Sequence, residues 1–184
     1  MNLKEELLKD KTFTKKQCVE ISNFAMATPK NLKELMSFFF SNEYRLAQRT
    51  AWVITMITAV NPKLIKPYIE QLVMQLNRKD VHNAVIRNSV RILQQLEIPK
   101  PLHGRLMNYC FELLGNPTTP VAIKAFSLTT LYNLSQVYPE IKNELKLVIE
   151  ERWNHETAAF KSRGKTILKK LNAEAAQSTT SFIK

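Results

Sequence analysis

Four prolines recur along the chain at intervals that match a two-helix repeat. Pro29, Pro62, Pro99 and Pro139 are separated by about 33 to 40 residues, and each stands shortly before an amphipathic pattern. Proline is favoured at the start of a helix because the N–H that it lacks would have no partner in the first turn. A regular interval of this length therefore predicts a chain built from repeated helical pairs.

Apolar residues with helical spacing fill the stretches between these prolines. They recur at intervals of three and four residues, so that each stretch has one apolar face. A helix with one apolar face has to bury it against a neighbour, which favours helices packed in pairs. The predicted pairs, in chain order, are 2–10 with 14–27, 31–41 with 43–59, 62–77 with 80–96, 101–116 with 119–136, and 139–153 with 156–171.

Residues suited to helix ends stand at several of these boundaries. Short polar side chains can accept hydrogen bonds from the free N–H groups of a first turn, and glycine tolerates the backbone of a helix end. The candidate N-caps are Thr14, Asn31, Asn42 and Asn61, and the candidate helix ends are Gly115 and Asn116. The sequence therefore predicts an all-α fold of about five helical hairpins.

The composition is that of one helical domain. A chain of 184 residues with 45% hydrophobic residues can bury a sizeable core. Only three glycines are present, which leaves little material for tight hairpins or for loops that wrap phosphates. Beyond Asn172 the apolar pattern fades into Ala, Gln, Ser and Thr. We therefore expect a single repeat domain over residues 1–171 and a flexible tail over residues 172–184.

A basic residue recurs at the same place in each second helix, followed by small or apolar residues. The segments are Gln48-Arg49-Thr50-Ala51, Ile86-Arg87-Asn88-Ser89, Ile123-Lys124-Ala125-Phe126 and Ser162-Arg163-Gly164-Lys165. This pattern resembles the Val-Arg-x-x-Ala signature in the second helix of HEAT repeats, and Asp80 resembles the acidic residue that their loops often carry. The resemblance covers most of residues 14–171. Short phrases around Trp52 and Lys124 also look like a group of short bacterial HEAT-like proteins without an assigned activity.

The HEAT resemblance implies a right-handed α–α superhelix whose second helices line a concave surface. In such proteins this surface usually engages proteins or nucleic acids. On a helix, Arg45, Arg49 and Trp52 would share one side, as would Arg87 and Arg91 on the next second helix. The candidate binding face consists of Arg45, Arg49, Trp52, Arg87, Arg91, Lys124 and Arg163.

The charge of the chain indicates what such a face could bind. A formal net charge of +11 attracts polyanions and acidic partners, and a guanidinium group can bind a carboxylate or a phosphate through two hydrogen bonds. Our leading hypothesis is a non-enzymatic scaffold that binds a protein or an acidic segment on the basic concave face. The alternative is a nucleic-acid-binding protein, with or without base-excision chemistry, because alkylpurine DNA glycosylases also use HEAT-like repeats.

The recurring basic residues have a second interpretation. In HEAT repeats such a residue often braces the neighbouring repeat through a carboxylate or a carbonyl, so Arg49 and Arg87 could belong to the framework instead of a ligand site. Trp52 could likewise pack in the core instead of stacking on a base. These alternatives stay open at the level of sequence.

Motifs for catalysis are missing from the sequence. His82, His103 and His155 are scattered, and none has the spacing of a zinc-binding helix. The chain contains no Gly-x-Ser-x-Gly turn of the kind that presents a nucleophilic serine. We therefore expect no enzymatic activity, no metal and no small-molecule cofactor.

The expected location is the cytoplasm. The longest apolar stretch, residues 51–60, is about half of what a bilayer crossing needs, so no membrane contact is expected. The N-terminus mixes charged residues into its leucines, unlike a secretory signal. Cys18 and Cys110 lie far apart and are interpreted as reduced core residues.

Overall fold

The computed structural model describes residues 1–181, and every regular element in that part of the chain is helical. The α-helices are α1 (Leu3–Leu8), α2 (Lys15–Ala27), α3 (Pro29–Phe39), α4 (Tyr44–Val60), α5 (Ile69–Gln75), α6 (Asn83–Leu93), α7 (Lys100–Gly115), α8 (Val121–Ser135), α9 (Ile141–Arg152) and α10 (Ala158–Ser181). A 3-10 segment, Pro62–Tyr68, precedes α5, and a shorter one, Trp153–His155, follows α9. The prediction of an all-α fold is confirmed.

The chain divides into two compact units, Met1–Leu102 and His103–Lys184. Unit 1 contains α1 to α6, and unit 2 contains most of α7 followed by α8 to α10. Each unit has its own set of fully buried apolar side chains. Helical periodicity does not reveal this division, and the single domain over residues 1–171 stays a prediction.

Helix α4 is the central element of unit 1. It packs against α2, α3 and α6 and also contacts α1. Because neighbours lie on several of its sides, its buried residues are not confined to one stripe, and Val53, Ile54 and Ile57 are all fully buried. The second helices α2, α4 and α6 follow one another side by side, as expected for stacked hairpins.

Unit 2 is organised around α8, which packs against α9 and α10. Its core contains the fully buried Phe160 and Ile149. Gly164 allows α10 to lie close to α9, because a Cβ atom at this position would stand 2.9 Å from Cγ2 of Ile149. The absence of a side chain at Gly164 therefore fits the close packing of these two helices.

The single helix expected over residues 62–77 is wrong. The chain instead forms the 3-10 segment Pro62–Tyr68 followed by α5, with Pro67 near the junction. Proline lacks an N–H group, and its ring collides with the carbonyl four residues earlier in an α-helix. Pro67 therefore explains why the regular α-helix begins only at Ile69.

One of the four predicted N-caps makes a capping bond, and three do not. Thr14 caps α2 as expected, with a reciprocal bond between its backbone and the side chain of Gln17. Helix α3 is capped by Thr28, whose hydroxyl accepts a hydrogen bond from the backbone N–H of Asn31. Neither Asn42 nor Asn61 makes a side-chain capping bond at a helix start.

Helix α10 continues to Ser181, past the end expected near residue 171. Its extension is held by Glu174, whose carboxylate accepts a hydrogen bond of 2.6 Å from the Tyr132 hydroxyl and forms an ion pair of 2.8 Å with Lys142. These contacts fix the first extra turns on α8 and α9. The flexible tail over residues 172–184 stays a prediction, and residues 182–184 lie outside the described residues.

Candidate functional site

A cleft of about 450 Å³ opens in unit 1 between the loop after α1 and the helices α4 and α6. Its volume lies in the range of about 300–1,000 Å³ typical of ligand sites. The loop contributes one wall and the two second helices contribute the rest. The lining residues are Lys11, Thr12, Phe13, Gln48, Arg49, Trp52, Arg87, Asn88 and Arg91.

Arg49 holds the loop that forms the first wall. Its guanidinium donates hydrogen bonds to the carbonyl oxygens of Leu7 (2.6 Å), Asp10 (2.8 Å) and Lys11 (2.9 Å). Carbonyls in the last turn of a helix have no intrahelical partner, and Leu7 lies in the last turn of α1. Arg49 therefore satisfies the end of α1 and fixes the path of the chain beyond it.

Arg45 reinforces the same contact from the solvent side. Its guanidinium donates to the carbonyl oxygens of Asp10 (2.9 Å) and Lys11 (3.0 Å), so that two guanidinium groups share these two acceptors. Arg49 is only 7% exposed. Burial lowers the pKa of the Arg49 guanidinium, the positive charge of Arg45 lowers it further, and Asp10 opposes both.

Two aromatic rings stand beside the buried guanidinium. Phe13 lies with its ring centre 5.4 Å from the guanidinium carbon of Arg49 and meets Trp52 edge to face, with 5.7 Å between ring centres. Such geometry favours both contacts, since the face of a ring is negative and its edge is positive. Trp52 nevertheless remains 39% exposed. The pair therefore supplies the cleft with an ordered apolar surface that is accessible from outside.

Arg87 and Arg91 supply two unpaired guanidinium groups to the cleft, in addition to the exposed ammonium group of Lys11. They lie one turn apart on α6, where four residues correspond to a rise of about 6 Å. Arg87 is half-buried and Arg91 is exposed. In contrast to Arg49, neither guanidinium makes a hydrogen bond or an ion pair with any described residue.

Asn88 stands between these two arginines in sequence and also lines the cleft. Its side chain is only 5% exposed, and its amide has no hydrogen-bond partner within residues 1–181. The amide atoms are not shut off from solvent and are open to the cleft, so water or a ligand can bind them there. None of the residues lining the cleft is acidic. The cleft thus combines unpaired cations, an unpaired amide and an aromatic surface.

Lys124 of unit 2 is engaged differently from the arginines of the cleft. It is 2% exposed, and its ammonium group lies 2.6 Å from the Glu156 carboxylate. The same carboxylate oxygen accepts a hydrogen bond of 2.9 Å from Nε of Arg152, which also donates to the carbonyl of Gly115. Burial raises the pKa of Glu156, but the hydrogen bonds from Lys124 and Arg152 lower it by more.

The structure therefore divides the seven candidate residues into groups. Arg45, Arg49, Trp52, Arg87 and Arg91 lie in unit 1, around or beside the cleft, whereas Lys124 and Arg163 lie in unit 2. Arg163 is exposed and donates to the Thr129 hydroxyl at 3.2 Å. Arg49 and Lys124 are both bound to groups of the fold itself, and the assignment of the seven residues to a binding face stays a prediction.

Sequence reasoning did not identify Phe13, Gln48 and Asn88 as parts of the site. The spacing rule could have found Gln48, because it stands four residues before Trp52 on α4. Asn88 follows Arg87 directly, and adjacent residues of a helix point to different sides, so the spacing rule would not place Asn88 on the same face as Arg87. Phe13 precedes a helix, and its place depends on the path that Arg49 and Arg45 give to the loop.

The described residues hold few other groups with unusual chemistry. No cluster of three or more metal-binding side chains occurs among them, and none of their helices has the length and apolar composition of a membrane span. Both cysteines are fully buried, and burial raises the pKa of the Cys18 thiol to about 11 and that of Cys110 to about 12. These thiols are therefore protonated at neutral pH.

Comparison with known families gives one match. The family model described as HEAT repeat domain matches residues 3–171. HEAT repeats generally serve as scaffolds for protein interactions and are typically non-enzymatic. No curated protein and no solved structure is significantly similar to this chain.

Proposed function

This chain belongs to the HEAT repeat domain family, and we propose that it is a non-enzymatic scaffold that binds an acidic segment of a partner protein in the cleft of unit 1. The observation that carries the proposal is the state of Arg87 and Arg91. Both guanidinium groups line the cleft without a partner among the described residues, whereas the guanidinium group of Arg49 is hydrogen-bonded to backbone carbonyls.

The charge of the cleft supports an anionic occupant. Four of its lining residues are basic and none is acidic. Unpaired guanidinium groups bind carboxylates through charge-assisted hydrogen bonds that are about twice as strong as neutral ones. Partial enclosure of the cleft strengthens such bonds, because fewer water molecules screen them. The proposal does not include Lys124, since its charge is neutralised by Glu156.

A nucleic-acid strand is the second candidate, and the exposure of Trp52 is the observation that favours it. A base could stack on the 39% of this side chain that is accessible, while Arg87 and Arg91 contact phosphates. Base-excision chemistry is not part of this alternative, because no carboxylate lines the cleft. The peptide is preferred on family grounds, since HEAT repeats generally mediate protein interactions.

The test compares two polyanions of equal charge, a labelled decaglutamate peptide and a labelled single-stranded DNA with ten phosphates, by fluorescence anisotropy. The double variant R87E/R91E reverses the charge of the two unpaired guanidinium groups that α6 contributes to the cleft. The double variant K30E/K33E is the matched control, because it makes the same charge change at two exposed lysines of α3 outside the cleft. Circular dichroism verifies that both variants retain their helices.

The expected result is that the peptide binds the wild type and the control, and that R87E/R91E lowers its affinity at least tenfold. Equal loss in the control would show that binding follows net charge only and would overturn the cleft as the site. Tighter binding of the DNA, lost in R87E/R91E and retained in the control, would replace the proposed partner by a nucleic acid.

A further inference from the structure

The cleft of unit 1 has a geometry that selects the spacing of acidic residues. Resting on the proposed function, we infer that its ligand is an extended peptide with two acidic side chains separated by one residue, whose backbone binds Asn88 and whose adjoining apolar side chain lies on Trp52. The inference is carried by the unpaired polar groups of α6 and by the exposed ring of Trp52 on α4, which line the same cleft.

The distance between the two cations sets the spacing. Arg87 and Arg91 are four residues apart on α6, which places their Cα atoms about 6 Å apart along the helix axis. In an extended peptide, side chains two residues apart lie on the same face and are about 6.6 Å apart. Adjacent acidic residues point to opposite faces, so only one of them could reach α6. An alternating pair therefore matches the two guanidinium groups best.

Asn88 distinguishes a peptide from a simple polyanion. A side-chain amide has both an N–H donor and a carbonyl acceptor, and in Asn88 neither has a partner within the described residues. Phosphate and carboxylate oxygens can only accept, so a bare anion would leave the Asn88 carbonyl unsatisfied. In an extended peptide the N–H and the C=O of the same residue point to one side, so they can bind both ends of the amide. An unpaired amide at the cleft surface beside two cations thus favours a ligand with a peptide backbone.

The aromatic wall supplies the third contact. Trp52 is 39% exposed at the cleft, and its ring is held by Phe13 across a centroid distance of 5.7 Å. An ordered ring loses little freedom when a ligand covers it, so an apolar ligand side chain gains contact area at low entropic cost. Since α4 and α6 pack side by side, a peptide that follows Arg87 and Arg91 passes alongside Trp52.

The experiment uses two labelled peptides of identical composition, each with one leucine, two glutamates and otherwise serine and glycine. In one peptide a single serine separates the glutamates, and in the other the glutamates are adjacent. Binding to the full chain is measured by fluorescence anisotropy at low salt. We expect the alternating peptide to bind about tenfold more tightly, the factor that corresponds to about 1.4 kcal/mol.

Variants identify the groups responsible for this preference. Arg91→Gln leaves one unpaired guanidinium group on α6, so both peptides should bind it weakly and equally. Lys33→Gln removes one charge from α3, outside the cleft, and should preserve the tenfold preference. Asn88→Ala should weaken the alternating peptide about fivefold while the circular dichroism spectrum stays unchanged.

The outcomes separate this inference from the proposed function. If both peptides bind the wild type equally and R87E/R91E abolishes binding, the cleft binds acidic segments without reading their spacing, and the inference is wrong while the proposed function stands. A preference that persists in Arg91→Gln overturns the role of the arginine pair. If neither the two peptides nor decaglutamate binds at all, the proposed function itself fails.

Discussion

Replacement of Arg49 by methionine tests whether the wall of the cleft depends on one guanidinium group. Methionine keeps much of the length of the side chain and can remain in the buried position, but it cannot donate a hydrogen bond. The change removes three bonds to carbonyl oxygens and the contact with the ring of Phe13. Unit 1 should therefore become less stable, and the loop after α1 should lose its fixed path.

The expected loss of stability depends on whether each carbonyl oxygen still has a donor after Arg49 is replaced. The carbonyls of Asp10 and Lys11 keep Arg45 as a donor, so the loss of their hydrogen bonds to Arg49 costs little stability. The carbonyl of Leu7 is buried with Arg49 and has no other side-chain donor among the described residues, and a hydrogen bond to a charged group contributes about 1.5–3 kcal/mol. The contact with Phe13 adds about 0.5–1 kcal/mol. We expect a total loss of about 2–4 kcal/mol in the free energy of unfolding.

The assay is urea unfolding followed by the fluorescence of Trp52. The chain has two tryptophans, so the measurement is made in a Trp153→Phe background in which the signal reports on unit 1 alone. At about 1.5 kcal/mol per molar urea, a loss of 3 kcal/mol lowers the midpoint by about 2 M. Arg45→Met is the matched control, because it removes bonds only to carbonyls that Arg49 also binds, and it should cost about 1 kcal/mol or less. Equal effects of the two substitutions, or a loss below about 1 kcal/mol for Arg49→Met, would refute this reasoning.

Three further substitutions test the packing and the charges of unit 2. Gly164→Ala places a methyl group 2.9 Å from Cγ2 of the buried Ile149 and should lower the melting temperature, as overpacking costs about 1–3 kcal/mol. Gly104→Ala, a helix position with nothing within 4 Å of the added Cβ, should raise it, because alanine favours a helix by about 1 kcal/mol. Glu156→Gln leaves the buried Lys124 ammonium unpaired and should cost about 3 kcal/mol at pH 7 in urea unfolding. The pKa of Glu156 is lowered in the folded state, so the stabilisation from its carboxylate is present above the unfolded pKa of about 4.3 and is lost as the pH falls through the folded value. Wild type should therefore lose more stability on acidification than the variant.

Much of the fold could be predicted because helix formation in this chain follows local rules. The spacing of apolar residues identified the paired helices, and the side chain of Thr14 identified the start of α2. The errors arose where a second local feature competes with the pattern. Pro67 interrupts an apolar period that would otherwise indicate one helix, and His82 caps α6 through its ring nitrogen, a role more common for short polar side chains.

The candidate site was less predictable, because sequence spacing fixes which residues share a helix face but not which partners reach them. Arg49 and Arg87 occupy equivalent places in successive second helices, and both were expected either to bind a ligand or to brace a neighbour. The structure assigns bracing to Arg49 through three carbonyls, whereas Arg87 makes no such bond to a described residue. The difference depends on the loops, whose conformation has no periodic signal in the sequence.

The lengths and contacts of those loops explain why Arg87 is free. The loop after α1 spans residues 9–14, and its carbonyls turn toward Arg49 in the next repeat. The corresponding loop after α3 spans only residues 40–43, and there Asn42 accepts a hydrogen bond of 3.4 Å from Arg78, which is also paired with Asp80. A contact to this loop is thus made by Arg78 instead of by Arg87. Arg87 makes no contact of this kind and lines the cleft with Asn88 and Arg91, and we propose it as a residue that binds the ligand.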